Sequence, residues 1–297
     1  RDVAPSRGLG DVYKRQDIMI WAKEETLSRE EIEAIQLEKL KKVVSTVYEK
    51  VAPYRAKMDE AGIKPEDVKS LNDLKRLPFT TKQDMRDNYP FGLFAVDKSQ
   101  LARIHASSGT TGKPTVVGYT KKDLETWAEC VARLAVAGGA ESSDVCQICF
   151  GYGMFTGALG LHNGLERIGA CIIPSSTGNT EKQIMYMKDY GTTLLVATPS
   201  YALRIGEVAT QMGLNPKTDL KLKTALVGSE LLTEAMRDEM HKLYGDNLTI
   251  TQNYGMSELI GPGVSGECTE LCGMHINEDH FLAEIIDPET GEVLPAG

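Results

Sequence analysis

From about Thr120 to Thr251 the chain alternates between apolar, β-branched runs of four to six residues and longer amphipathic runs. The expected strands are Val145–Phe150, Ala170–Ile173, Thr193–Ala197, Thr224–Val227 and Leu248–Thr251. Between them fall helical patterns over Thr120–Ala137, Thr156–Ile168, Glu181–Asp189, Ser200–Met212 and Thr233–Leu243. Strand and helix in strict alternation predict an α/β fold with a mostly parallel sheet flanked by helices. Ligands in such folds sit beyond the carboxyl ends of the strands. Four short stretches follow predicted strands at that edge: Gly151-Tyr-Gly153, Thr198-Pro-Ser200, Gly228-Ser-Glu230 and Gln252-Asn-Tyr254. One crevice could gather all four.

Ahead of the alternating region, Ser28-Arg-Glu-Glu31 is a capping box. It opens a helix in which Leu37, Leu40, Val44, Val47 and Val51 recur at spacings of three and four. Thr81 is placed to cap a short helix that ends before Pro90. At the far end, Phe281–Asp287 and Val293 flank a Pro288-Glu-Thr-Gly291 turn and read as antiparallel β.

The stretch richest in chemistry is Ser107-Ser-Gly-Thr-Thr-Gly-Lys-Pro114. Gly109 and Gly112 let the backbone approach a ligand closely. Ser107, Ser108, Thr110 and Thr111 offer hydroxyl donors, and Lys113 offers positive charge. The composition suits a polyphosphate; a glycine-rich hairpin with solvated hydroxyls is the alternative reading. It is not a Walker A loop, which needs four residues between its glycines and a Ser or Thr after the lysine.

This loop resembles the phosphate-binding signature of the adenylate-forming enzymes, the superfamily of acyl-CoA synthetases, peptide-synthetase adenylation domains and luciferases. A second signature of that superfamily stands in the same order downstream, at Tyr254-Gly-Met-Ser-Glu258. Four further stretches resemble the phenylacetate:CoA ligases in particular. They are Leu77-Pro-Phe-Thr-Thr-Lys82, Asn88-Tyr-Pro-Phe-Gly-Leu-Phe94, Phe150-Gly-Tyr-Gly-Met-Phe-Thr156 and Gly273-Met-His-Ile-Asn-Glu-Asp-His-Phe281. The resemblance runs from about Met19 to the last residue.

The resemblance implies a large N-terminal adenylation domain and two half-reactions. A carboxylate attacks the α-phosphate of ATP, and the thiol of coenzyme A then displaces AMP. Ser107, Ser108, Gly109, Thr110, Thr111, Gly112 and Lys113 would hold the β- and γ-phosphates. Glu258 would ligate Mg2+, Ser257 would touch the α-phosphate, and Lys113, Ser257 and Glu258 form the catalytic set. Tyr254 would stack on adenine, with Gly228, Ser229 and Glu230 along the base's edge and Gly255 and Met256 continuing the motif. Tyr152 and Phe155, at a predicted strand end, suit an aryl ring, with core packing as the alternative.

Cys268-Thr-Glu-Leu-Cys272-Gly-Met-His275 could begin a structural Zn2+ site, with Cys268 and His275 the better ligands; unliganded thiols are the alternative. Cys146-Gln-Ile-Cys149 has redox spacing but lies in an apolar run, where structural thiols are expected. Two other function classes stay open: an adenylyl-transferase relative that does not use coenzyme A, and a non-catalytic ATP-binding protein.

Both ends carry an expectation. Asp11-Val-Tyr-Lys-Arg-Gln16 matches the translated mosaic end of a transposase used in sequencing libraries, so residues 1–16 are read as adaptor-derived and residues 17–297 as the adenylation domain. The resemblance implies that this domain continues past Gly297 into a small C-terminal domain. Charge excludes one partner class. The chain carries 33 basic against 42 acidic side chains, a net charge of −9. Setting aside residues 1–16, with four basic and two acidic side chains, leaves −11. Nonspecific nucleic-acid binding is not expected. No apolar run approaches the length of a membrane span, so the expected setting is cytoplasmic; the expected partners are a small aryl acid, ATP and coenzyme A, and a homodimer is the candidate assembly.

Overall fold

The computed structural model describes residues 20–107 and 113–295. The described residues divide into two compact units, one drawn from 26–121 with 276–295 and one from 20–25 with 122–275.

In the first unit, helix α1 (Arg29–Lys50) starts where the capping box places it. The Ser28 Oγ accepts from the Glu31 N–H at 3.3 Å, and the Ser28 N–H donates to the Glu31 carboxylate at 2.9 Å. Helix α2 (Ala52–Glu60) follows, with Pro53 in its first turn. Val44 on α1, Met58 on α2, Ile63 and Val68 close a small core with Leu40, Tyr48, Tyr54 and Leu77 around it. Helix α3 (Lys82–Asp87) is capped by Thr81, as expected. Strands β1 (Arg103–Ala106) and β2 (Val116–Tyr119) pair antiparallel, Ala106 opposite Val116, as a hairpin around the hydroxyl-rich loop. The returning segment is tied to α1: Arg29 forms a two-bond fork with Glu278, and Gln36 donates to the Glu278 carbonyl. Beyond it the expected antiparallel β pair shrinks to one bridge, Ile286 to Val293.

The second unit holds the sheet. Its elements run α4 (Lys121–Ala137), β3 (Val145–Ile148), α5 (Gly157–Arg167), β4 (Cys171–Ile173), α6 (Thr180–Tyr190), β5 (Leu194–Ala197), α7 (Pro199–Gln211), α8 (Pro216–Asp219), β6 (Thr224–Gly228), α9 (Glu234–Tyr244), β7 (Thr249–Met256), β8 (Gly261–Glu267) and β9 (Met274–Ile276). The strand order is β4-β3-β5-β6-β7-β8-β9. Strands β4 to β7 are parallel, and β8 returns antiparallel to β7. Leu195, Ala197, Ala225, Val227 and Ile250 face the helix pair α7 and α9 in one continuous core with Ile205, Val208 and Met240.

Two strand boundaries differ from expectation by more than one residue. Strand β3 stops at Ile148, which leaves Cys149 and Phe150 beyond its end. Strand β7 runs five residues past Thr251, so Tyr254, Gly255 and Met256 are strand residues instead of following one. Partnering with β8 sustains that extension, and β8 itself is unexpected because three glycines and a proline in seven residues read as a turn. The glycines have a packing reason. A Cβ on Gly261 would stand 2.5 Å from the Trp127 ring, and one on Gly160 of α5 would stand 2.2 Å from it. Trp127 is wholly buried between them and donates its Nε1–H to the Pro262 carbonyl at 2.7 Å.

Candidate functional site

A pocket opens in the sheet unit where three segments meet. Phe150, Phe155, Thr156 and Gly157 come from the segment after β3, with Leu161 from the first turns of α5. Gly228 and Ser229 stand at the end of β6, and Asn253, Gly255, Met256 and Ser257 at the end of β7, facing Gly261 and Pro262 of β8. This is the carboxyl edge of the parallel strands, where the alternation places a ligand.

Each wall has a local cause. Strands β7 and β8 slip register between Tyr254 and Gly255. A Cβ on Gly255 would fall 1.9 Å from the Gly261 carbonyl oxygen, so only glycine lets the two backbones approach this closely. Asn253 points the other way and donates from Nδ2 to the Val227 carbonyl at 2.9 Å, buried, stitching β7 to β6. Gly228 lies against that amide: a Cβ there would meet Nδ2 at 2.8 Å. Ser229 then takes a φ of +66°, a left-handed turn rarely accepted by a residue with a side chain. Glu230 follows and ties two neighbouring segments together. The Glu230 carboxylate accepts from the Ser200 N–H at 3.3 Å, in the first turn of α7, and its carbonyl accepts from Gln252 Nε2 at 3.2 Å. The four expected edge stretches are thus joined in part: Thr198–Ser200 after β5, Gly228–Glu230 at the end of β6 and Gln252–Tyr254 within β7 share hydrogen bonds.

Tyr254 is half exposed, its hydroxyl 3.6 Å from the Met256 sulfur, and its ring is open to stacking. Ser257 is buried, and its hydroxyl lies 3.3 Å from that of Thr156, also buried. Thr156 is the N-cap of α5 yet makes no side-chain cap bond, because its hydroxyl is turned to Ser257. It closes the Phe150–Thr156 stretch, but the sequence assigns it no role of its own. Glu258 sits half-buried in the tight turn joining β7 to β8, one residue past Ser257.

Of the two aromatic candidates, Phe155 lines the pocket. Tyr152 is engaged elsewhere: its hydroxyl lies 3.1 Å from His162 Nδ1, and His162 Nε2 lies 3.1 Å from Glu166 on the next turn of α5. Burial, reinforced by the Glu166 charge, raises the Tyr152 phenol above its ordinary pKa. Cys146 and Cys149 are buried structural thiols, as expected. Burial pushes them up to about 12 and about 11, away from thiolate chemistry.

The hydroxyl-rich loop belongs to the other unit, and Ser108 to Gly112 lie outside the described residues. At its base the Thr115 N–H donates to the Ser107 Oγ at 3.0 Å, and the Ser107 N–H donates to the Thr115 carbonyl at 2.9 Å. The Lys113 ammonium stands over the Tyr89 ring, 5.1 Å from its centre. Cys268 is buried, whereas Cys272 and His275 are exposed. Among the described residues no three His, Cys, Asp or Glu side chains converge on a metal-holding arrangement. Nor is any described helix long and apolar enough to cross a membrane.

Comparison with known proteins gives a consistent picture. A family model described as "AMP-binding enzyme" matches residues 17–297. The phenylacetate-coenzyme A ligase of Thermus thermophilus is 51% identical over 274 residues, which is 92% of this chain and 61% of that protein. The Escherichia coli phenylacetate-coenzyme A ligase is 47% identical over 275 residues, 92% of this chain and 62% of its own length. Among solved structures, 2-hydroxyisobutyryl-CoA ligase in complex with 2-HIB-AMP and CoA superimposes with a TM-score of 0.85 at 26% identity, covering 93% of this chain and 65% of that one. The chain therefore spans about three fifths of the length of the curated relatives it matches.

Proposed function

This chain belongs to the AMP-binding enzyme family, and on that footing we propose that the whole protein is an AMP-forming aryl-acid:CoA ligase acting on phenylacetate or a close analogue. The observation that carries this reading is half-identity to phenylacetate-coenzyme A ligases across nine tenths of the chain. An aryl carboxylate is activated by ATP to an acyl-adenylate with release of pyrophosphate. Coenzyme A then takes the acyl group as a thioester and AMP leaves.

Catalysis of this kind is mostly positioning and stabilisation of charge on phosphate oxygens, and the residues can be given parts in it. Tyr254 offers a half-exposed ring for adenine, with Gly228, Ser229 and Glu230 along the base's edge and Gly255 and Met256 carrying the strand past it. Ser257 donates toward the α-phosphate, oriented by Thr156 at 3.3 Å. Lys113 and the hydroxyls from Ser107 to Thr111 serve the β- and γ-phosphates. Glu258 supplies a hard carboxylate oxygen of the kind Mg2+ prefers, and the ion, when bound, neutralises phosphate charge. Phe155 forms the apolar wall for the acid's ring, and Tyr152, its hydroxyl held by His162, is the second aromatic candidate of the same segment. The setting is cytoplasmic.

Acid-dependent exchange of labelled pyrophosphate into ATP by the whole protein tests the reading across a panel of aryl and aliphatic acids. Exchange with arylacetates, and AMP release on adding coenzyme A, is the expected result. Exchange without coenzyme A-dependent AMP release would instead identify an adenylyl-transferase, and ATP binding with no exchange for any acid would overturn the enzyme reading.

A further inference from the structure

Beneath the strand that carries Tyr254 lies an ion pair that no sequence motif marks. Strand β8 pairs with β7 at Asn253–Gly266 and ends at Glu267, so the β8-facing edge of β7 has no strand partner at Gln252 and Ile250. Two side chains take the place of the missing rungs. The Glu267 carboxylate accepts from the Gln252 N–H at 2.8 Å, and the Arg237 guanidinium, from α9, donates to the Ile250 carbonyl. Arg237 also grips Glu267 with Nη2 3.1 Å from both carboxylate oxygens. The pair is almost completely removed from water, with side-chain exposures of 9% and 14%.

An ion pair this buried is weak evidence for stability, because desolvation offsets its attraction. Its placement is more informative. Gln252 and Tyr254 are two residues apart on one strand and share a face. Gln252 Nε2 in turn donates to the Glu230 carbonyl. One side-chain pair thus sets both the strand under Tyr254 and the strained turn at Ser229.

We infer that Arg237 and Glu267 are positioning residues for the nucleotide base: they hold β7 and the Ser229–Glu230 turn in the register at which Tyr254 and the turn receive adenine. The inference rests on the function proposed above. It predicts that loosening the pair weakens ATP and leaves the acid untouched.

Three variants of the whole protein test it: E267Q, which keeps an acceptor for the Gln252 N–H; E267M; and the double variant R237M/E267M, which refills the buried volume without charge. In pyrophosphate exchange, E267M and the double variant should raise KM for ATP about tenfold, with KM for the acid and kcat within about twofold of the parent. The double variant should recover most of the melting temperature lost by E267M without recovering KM. E267Q should fall between parent and E267M. The inference is overturned if KM for ATP follows the melting temperature back toward the parent in the double variant, or if KM for ATP and for the acid rise together. Should the Met variants fail to fold, E267Q decides: a rise of about threefold in KM for ATP supports the inference, and none overturns it. Calorimetric titration with ATP alone reads the same comparison without turnover. A parent that binds ATP but exchanges no pyrophosphate would therefore defeat the proposed function while leaving this test intact.

Discussion

The two units carry their candidate binding residues on very different supports. In the sheet unit, pocket residues stand at the ends of β6, which is buried throughout, and β7, and are braced by backbone and by buried side chains. Gly255 lies against the Gly261 carbonyl, Asn253 is bonded to the Val227 carbonyl, and Trp127 is locked on Pro262. In the other unit, the hydroxyl-rich loop hangs from a hairpin of two four-residue strands. There the neighbours are side chains: Gly118 of β2 faces the rings and methyls of Phe94 and Leu101. A pocket edge braced by backbone cannot relax, whereas a hairpin held by side chains can.

The sharpest break between the two is a pair of glycine substitutions. In Gly255→Ala the new methyl meets backbone oxygen and carbon of Gly261 at 1.9 and 2.6 Å, with nothing able to rotate away. Overpacking of this kind should cost about 3 kcal/mol or more, read as a loss of the cooperative transition or a large fall in denaturant midpoint. In Gly118→Ala the methyl meets Phe94 and Leu101 side-chain carbons at 2.6 and 2.9 Å. These can swing, so a loss of about 1 kcal/mol is expected. Equal losses at the two positions would erase the distinction.

Buried hydrogen bonds draw the contrast more finely. Trp127→Phe leaves the Pro262 carbonyl without its indole donor in a closed interior, and should destabilise by about 1–3 kcal/mol in urea unfolding. Tyr54→Phe, in the other unit, removes a 3.0 Å bond to the Pro78 carbonyl at a half-buried site, where water can substitute. A loss of about 0.5–1 kcal/mol is expected there.

Much of this support was legible in the sequence, and the exceptions have a common cause. The helices announced themselves through caps, Ser28 with Glu31 and Thr81 with Asp84, and through apolar spacing. The parallel strands were legible because strands buried on both faces need unbroken apolar runs. What escaped was structure decided by a distant partner. Strand β8 reads as a turn because its glycines answer to Trp127 and Val131, more than a hundred positions away. The last residues of β7 are strand only because β8 lies beside them. Thr156 read as an ordinary helix start, since its pairing with Ser257 crosses 101 residues. Tyr152 and Phe155 are spaced closely enough to suggest a shared wall, but His162 holds the Tyr152 hydroxyl while Phe155 lines the pocket.

Alkaline pH should also act through the sheet unit. Cys146 and Cys149 have folded pKa values raised to about 12 and about 11 by burial, against roughly 8.5 in an unfolded chain. A raised value means the folded state keeps a proton that the unfolded state gives up. The stability they contribute is therefore complete below about pH 8.5 and is lost as pH climbs toward the folded values. Unfolding midpoints should fall progressively from pH 9 to about 11, and Cys146→Ala/Cys149→Ala should flatten that slope. Cys171 and Cys272, both exposed, should react promptly with a thiol reagent at pH 8 while the buried pair reacts only on unfolding.

The smallest effect belongs to the hairpin's own cation. Lys113 stands 5.1 Å above the Tyr89 ring with both side chains open to solvent. An exposed cation–π contact of this kind contributes about 0.5–1 kcal/mol. A double-mutant cycle with Tyr89→Leu and Lys113→Met isolates the pair from the separate effects of each change. A coupling energy of about 0.5 kcal/mol in thermal unfolding is expected. Tyr89→Phe should preserve it, since the ring and not the hydroxyl attracts the ammonium. Coupling as large as the Trp127 effect would mean that the hairpin is braced as firmly as the sheet, and the contrast between the two supports would fail. Coupling near zero would place the Lys113 ammonium in solvent and leave the Tyr89 ring no part in holding it.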